Sequence, residues 1–179
     1  MNATTVIPLP LILGSWHEFY SLLGTASATM VGLLFVAASV ASGAFPDRRA
    51  PLRVFLSASV VHFSSVLAAS LVMLAPLRSD YVLAVLILAC ATVGLVYSCM
   101  AWRDTVHDAL NASIDLEDRA WYVFLPVVAY VFELGAAIAI ACQAADGCAA
   151  LALAIGMLLV IGIHNAWDIT VWMVTRRRD

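Results

Sequence analysis

Hydrophobic positions in this chain come in long unbroken runs. They show neither the one-sided stripe of a soluble helix nor the alternation of a half-buried strand. Five runs stand out, over residues 19–42, 54–75, 81–102, 121–143 and 148–175. Each matches the roughly 20 apolar residues a helix needs to cross about 30 Å of hydrocarbon. The breaks between them carry turn and helix-stop signals: Gly43 with Pro46 and Pro51, Pro76 with Asp80, the charged stretch from Arg103 to Arg119, and Asp146-Gly147. The pattern predicts an all-α polytopic membrane protein. It is a single transmembrane domain over 1–179, a five-helix bundle with one sizeable loop at 103–120.

Composition agrees with the pattern. Apolar residues make up 64% of the 179 residues and charged ones 12%, against roughly 45–50% and about 25% in soluble domains. Mean hydropathy is +0.98. The net charge of −3 is small and no basic patch is interleaved with aromatics, so nucleic acid is not an expected partner; the lipid bilayer is.

Charge then orients the spans. All nine basic residues are arginine. If the loop after the first span is cytoplasmic, Arg48, Arg49, Arg53, Arg103, Arg119, Arg176, Arg177 and Arg178 share the cytoplasmic side and only Arg78 lies outside, a strong positive-inside asymmetry. The N-terminus is then outside, the C-terminus cytoplasmic and loop 103–120 cytoplasmic. The first seventeen residues carry no cation and lack the charged start and cleavage pattern of a removable signal peptide. Trp16 at the outer edge, and Trp102, Trp121 and Trp172 at the inner edge, fall where aromatic belts form.

With that orientation Cys142 and Cys148 flank an outer turn, "CQAADGC". An oxidising compartment would allow them to form a disulfide; the alternative is that small thiols only fill helix contacts, as Cys90 and Cys99 would. In the first span, Gly24, Ala28 and Gly32 recur every four residues and line one face. Such a face favours close helix packing, either inside the bundle or between the subunits of a homo-oligomer. The same stretch, "WHEFYSLLGTASATMVGLLFVAAS", resembles the opening helix of small uncharacterised bacterial polytopic membrane proteins, some labelled as modulators of a membrane protease. The resemblance covers roughly the first quarter of the chain. It implies a bacterial cytoplasmic (inner) membrane and brings with it no catalytic or binding residue.

Ionisable groups inside spans cost about 2.5–3.5 kcal/mol each on insertion scales, which makes them informative. His62 lies near the middle of the second span and Glu133 near the middle of the fourth. His164, Asn165 and Asp168 lie in the inner half of the fifth. His164 and Asp168 are four apart and share a helix face. Ser59 and Ser65 extend a polar stripe either side of His62, and Pro126, Tyr130 and Glu133 fall on one face of the fourth span. Because Pro126 has no N–H, the carbonyl one turn before it, on Tyr122, needs another partner.

Three readings of these residues are open. They hold helices in register through hydrogen bonds. They form a proton or small-ion path in a channel, transporter or sensor, with Glu133 central, His62 a relay and His164, Asn165 and Asp168 the cytoplasmic-side relay. Or Glu133, His62, His164 and Asp168 ligate a transition metal, with haem on the two histidines a variant of that reading. A non-catalytic regulator that binds a membrane-protein partner is a further alternative. The loop "RDTVHDALNASIDLEDR" has five acidic residues, and Val106, Leu110 and Ile114 at helical spacing would cap the bundle or meet such a partner. His17 and His107 read as interfacial. Hydrolytic and phosphate-binding motifs are missing, so an enzyme is not favoured.

Overall fold

The computed structural model describes residues 9–44, 49–77, 79–109 and 119–175. They form five helices: α1 (Leu9–Ala44), α2 (Arg49–Leu74), α3 (Asp80–Ala109), α4 (Leu125–Ala141), entered through a π-helical turn at Ala120–Phe124, and α5 (Gly147–Thr175). No strand occurs among the described residues. Four stretches are long and apolar enough to cross a membrane: Trp16–Val40, Asp80–Arg103, Ala120–Ala141 and Gly147–Asp168. In α2 the described side chains give an apolar stretch over Ala58–Leu74, which carries Ser59, His62, Ser64, Ser65 and Ser70.

Several boundaries differ from those the apolar runs suggest, for one physical reason. Charge ends the burial of a helix in an apolar medium, but it does not end the helix. With no Gly or Pro between Arg103 and Ala109, α3 continues through that stretch and shortens the expected loop. Similarly, α1 starts at Leu9 with Pro10 in its first turn, and α2 starts at Arg49 with Pro51 in its first turn, where a missing N–H costs nothing. Leu110, Ile114, Arg48, Arg78 and Arg176 to Arg178 lie outside the described residues, as do the side chains of Arg53 and Trp172.

The helices pack as a ring. α2 lies against α3, α3 against α4, α4 against α5, and α5 against α2, while α1 sits outside the ring with most of its contact on α2. This leaves α2 and α4 diagonally opposite. The shared core contains Tyr20, Val66, Ala69, Ile87, Ala129, Tyr130, Ala136, Ile140, Leu151, Ile155 and Leu158. The alanines allow helix backbones to approach closely, the main source of packing where hydrophobic expulsion from water is absent.

Hydrogen bonds join elements that the chain does not. The Tyr20 hydroxyl donates to the Cys148 carbonyl at 2.7 Å, and the Ser27 hydroxyl donates to the Phe63 carbonyl. After α4, Gln143 adopts a left-handed φ of 55°. Its backbone N–H donates to the Ile140 carbonyl at 2.9 Å and its amide Nε2 to Asp80 Oδ2 at 3.0 Å. That tether fixes the α4–α5 turn to the first turn of α3.

The cysteine pair and the small-residue face of α1 are placed as follows. Cys142 and Cys148 are both free, with Cys142 exposed and Cys148 buried at the start of α5. The tight turn rotates the two helix ends, so the two residues differ in exposure. Of the small-residue face, only Gly24 is packed inside, with Ser70 Cβ 3.0 Å from where a Cβ would stand. Ala28 and Gly32 are exposed, and Gly32 has open space around it.

Candidate functional site

The helical period of α4 sets the site. Pro126, Tyr130 and Glu133 recur at spacings of four and three, and all three are buried on the face turned into the ring. From the diagonal position, α2 presents His62. Its Nδ1 lies 3.0 Å from the Tyr130 hydroxyl, with ring centroids 5.8 Å apart, so this hydrogen bond spans the middle of the bundle. The hydroxyl of Ser65, one turn along α2, also interacts with Tyr130. A phenol donating to Nδ1 leaves the imidazole proton on Nε2 in the neutral ring. Room for the Tyr130 ring comes from α3, where Gly94 backs onto it. A Cβ on Gly94 would fall inside the ring, and Cδ1 would lie at only 2.7 Å.

One turn from Tyr130, Glu133 is 0% exposed and neither carboxyl oxygen has a hydrogen-bond partner among the described residues. Its electrostatic neighbours are Tyr130 and the Cys90 thiol of α3. The hydroxyls of Ser59, Ser70 and Ser98, His62 Nε2 and both amide atoms of Asn165 are likewise buried without a partner among the described residues. Buried polar atoms are normally satisfied by protein or by ordered water. Such a set strung through one core is a polar seam.

A second group lies where α5 passes the π turn. His164 Nδ1 is 3.2 Å from Asp168 Oδ2, an ion-pair distance between half-exposed residues. The His164 ring stacks on Trp121, with centroids 3.8 Å apart and planes 5° from parallel. The Tyr122 hydroxyl points at the Asn165 carbonyl and Asp168 Oδ2, at 3.4 and 3.5 Å. Asn165 between them is fully buried.

Pro126 accounts for the turn that makes this arrangement. Its ring crowds the carbonyl one α-turn back, and it has no N–H to offer. The chain responds by widening: the Leu125 N–H reaches the Ala120 carbonyl, a spacing of five residues. π turns of this kind occur often at functional sites.

The structure therefore divides the predicted residues in two. Glu133, Tyr130 and His62 meet in the bundle centre; His164, Asn165 and Asp168 meet Trp121 and Tyr122 nearer the end of the ring. Phe63 packs against Gly162, its Cε1 2.8 Å from where a Cβ would stand. His62 thus lies at the level of α5 just before His164. Because α2 and α5 run antiparallel, buried Ser59 and Asn165 continue from that level in the same direction.

The metal set does not come together. Among the described residues no three His, Cys, Asp or Glu side chains group to hold an ion. Glu133, His62, His164 and Asp168 are split because His62 turns Nδ1 to Tyr130, whereas His164 is held between Trp121 and Asp168. His17 is exposed beside Trp16. Trp121, Tyr122 and Gly94 were not expected as site residues; the only hints were a glycine within an apolar run and aromatics four and five residues ahead of a proline. No known protein family, curated protein or solved structure matches the chain.

Proposed function

We propose that the chain is a five-span protein of a bacterial cytoplasmic membrane, N-terminus outside, that conducts or senses protons or small cations along this seam. One observation carries the reading: a carboxyl with no exposed surface and no hydrogen-bond partner among the described residues, one turn from a hydroxyl–imidazole pair in the centre of the bundle. An ionisable residue at such depth is expensive to insert, and residues of this kind mark ion pathways and proton relays in membrane proteins. The protonated acid is the form such surroundings accommodate, since an ionised carboxylate without a donor would be prohibitively costly. Tyr130 and His62 supply the next exchangeable protons. Asn165, with His164 and Asp168 beyond it, leads towards the arginine-rich end. In this reading α2 is the fifth span. Its polar side chains His62, Ser59, Ser65 and Ser70 are all buried within the bundle, away from lipid.

Two measurements test the proposal. Purified protein in liposomes with an internal pH-sensitive dye is expected to dissipate an imposed pH gradient, and Glu133→Gln to lower the rate at least tenfold. A rate equal to protein-free liposomes at every pH would count against conduction. Orientation is tested separately. In intact cells a membrane-impermeant maleimide is expected to label exposed Cys142 and spare buried Cys148. Labelling of Cys142 only after lysis would reverse the topology.

A further inference from the structure

We infer that the species bound at the centre of the seam is the proton, and that Glu133 is not part of a sodium or potassium site; the inference rests on the pathway reading above and narrows it. A desolvated alkali cation needs several oxygen ligands in place of its hydration shell. Membrane transporters obtain them where helices break and unwound carbonyls face the ion. Around Glu133 the backbone supplies none. α4 is continuous from Leu125 to Ala141, and α2, α3 and α5 are continuous through Arg49–Leu74, Asp80–Ala109 and Gly147–Thr175. The carbonyls at this level are therefore engaged within their own helices. The one irregular turn among the described helices, Ala120–Phe124, lies more than two helical turns away.

Side chains give the same answer. Among titratable groups, those coupled to Glu133 are a phenol and a thiol, Tyr130 and Cys90; the other oxygens of the seam are neutral serine hydroxyls and one amide. Pro126, Ala129, Ala136, Ala137 and Ile140 make up the rest of the buried face of α4. The phenol already faces His62. These groups exchange hydrogens well and bind hard cations poorly.

In the transfer, the Glu133 O–H gives its proton, through a bridging water, to the Tyr130 oxygen, while the phenol passes its own proton to His62 Nδ1. The imidazolium that results releases the proton on Nε2 towards Ser59 and Asn165. Glu133, left as a carboxylate, is reprotonated from the opposite end of the seam; the ring is left neutral with its proton on Nδ1, and rotation turns that N–H towards the exit while the unprotonated Nε2 faces Tyr130 for the next transfer.

The test uses the full chain in liposomes together with infrared spectroscopy. Proton flux is expected to be equal in sodium and in choline media, and radioactive sodium uptake to stay at the protein-free level. The spectrum is expected to show a carboxylic-acid C=O band that shifts in D2O, is lost in Glu133→Gln, is retained in Glu133→Asp and is unchanged by sodium. Glu133-dependent sodium uptake, loss of the band on adding sodium, or no such band at all would each overturn the assignment. A sodium-insensitive band without flux of either ion would support proton occupancy and overturn the pathway reading instead.

Discussion

Glu133→Met is expected to raise the thermal unfolding temperature by a few degrees while abolishing proton flux. The buried carboxyl has no partner among the described residues, so folding dehydrates it without a protein hydrogen bond in return, a deficit of about 1–3 kcal/mol. Methionine is similar in length, flexible and apolar, and fills the same space without that deficit. Residues that destabilise a fold yet are indispensable to activity are typical of functional sites. A residue that holds helices in register does the opposite, and its removal lowers stability. Thermal unfolding in one detergent, paired with the liposome assay, separates the two. A clear fall in the unfolding temperature of Glu133→Met would mean that the carboxyl is anchoring its neighbours.

Gly94→Ala is expected to produce the largest loss of stability of any single methyl addition among the described glycines. The added carbon would occupy the Tyr130 ring, so either α3 and α4 separate or the ring leaves its place. Overpacking of this kind costs about 1–3 kcal/mol, and displacing Tyr130 also forfeits its hydrogen bond to His62, worth about 1 kcal/mol. Flux should fall with stability. Gly32→Ala is the control, because that position opens onto free space, and helix propensity favours alanine there. Equal unfolding temperatures for the two variants would show that Tyr130 is not seated as described.

The helices were legible because long apolar runs leave few alternatives for a backbone that must satisfy its own hydrogen bonds. Their ends were not, since α3 runs on past exposed Arg103, and Pro10 and Pro51 start helices as readily as they break them. Within the site, the alignment of Pro126, Tyr130 and Glu133 follows from helical spacing alone and could be read directly. That His62 would meet Tyr130 depends on which helices stand diagonally opposite, and spacing within one helix is silent on that. The four-residue metal set failed for the same reason. His164 and Asp168 were correctly paired because they share a helix, and His62 went elsewhere because it does not. Gly94 shows the limit most clearly: its role is to be absent where another helix's side chain stands.

The π turn before Pro126 sets the register between the two parts of the site. A π turn is what an α-helix becomes when it absorbs one inserted residue without disturbing the helix on either side. Each residue advances an α-helix by about 100°. Removing one residue from Ala120–Phe124 would therefore leave Tyr130 and Glu133 in place but swing Trp121 and Tyr122 round the axis, away from His164 and Asp168. The central trio and the flanking cluster are thus separable by one residue: a variant lacking one residue of Ala120–Phe124 is expected to keep Glu133, Tyr130 and His62 together without the aromatic cover on His164.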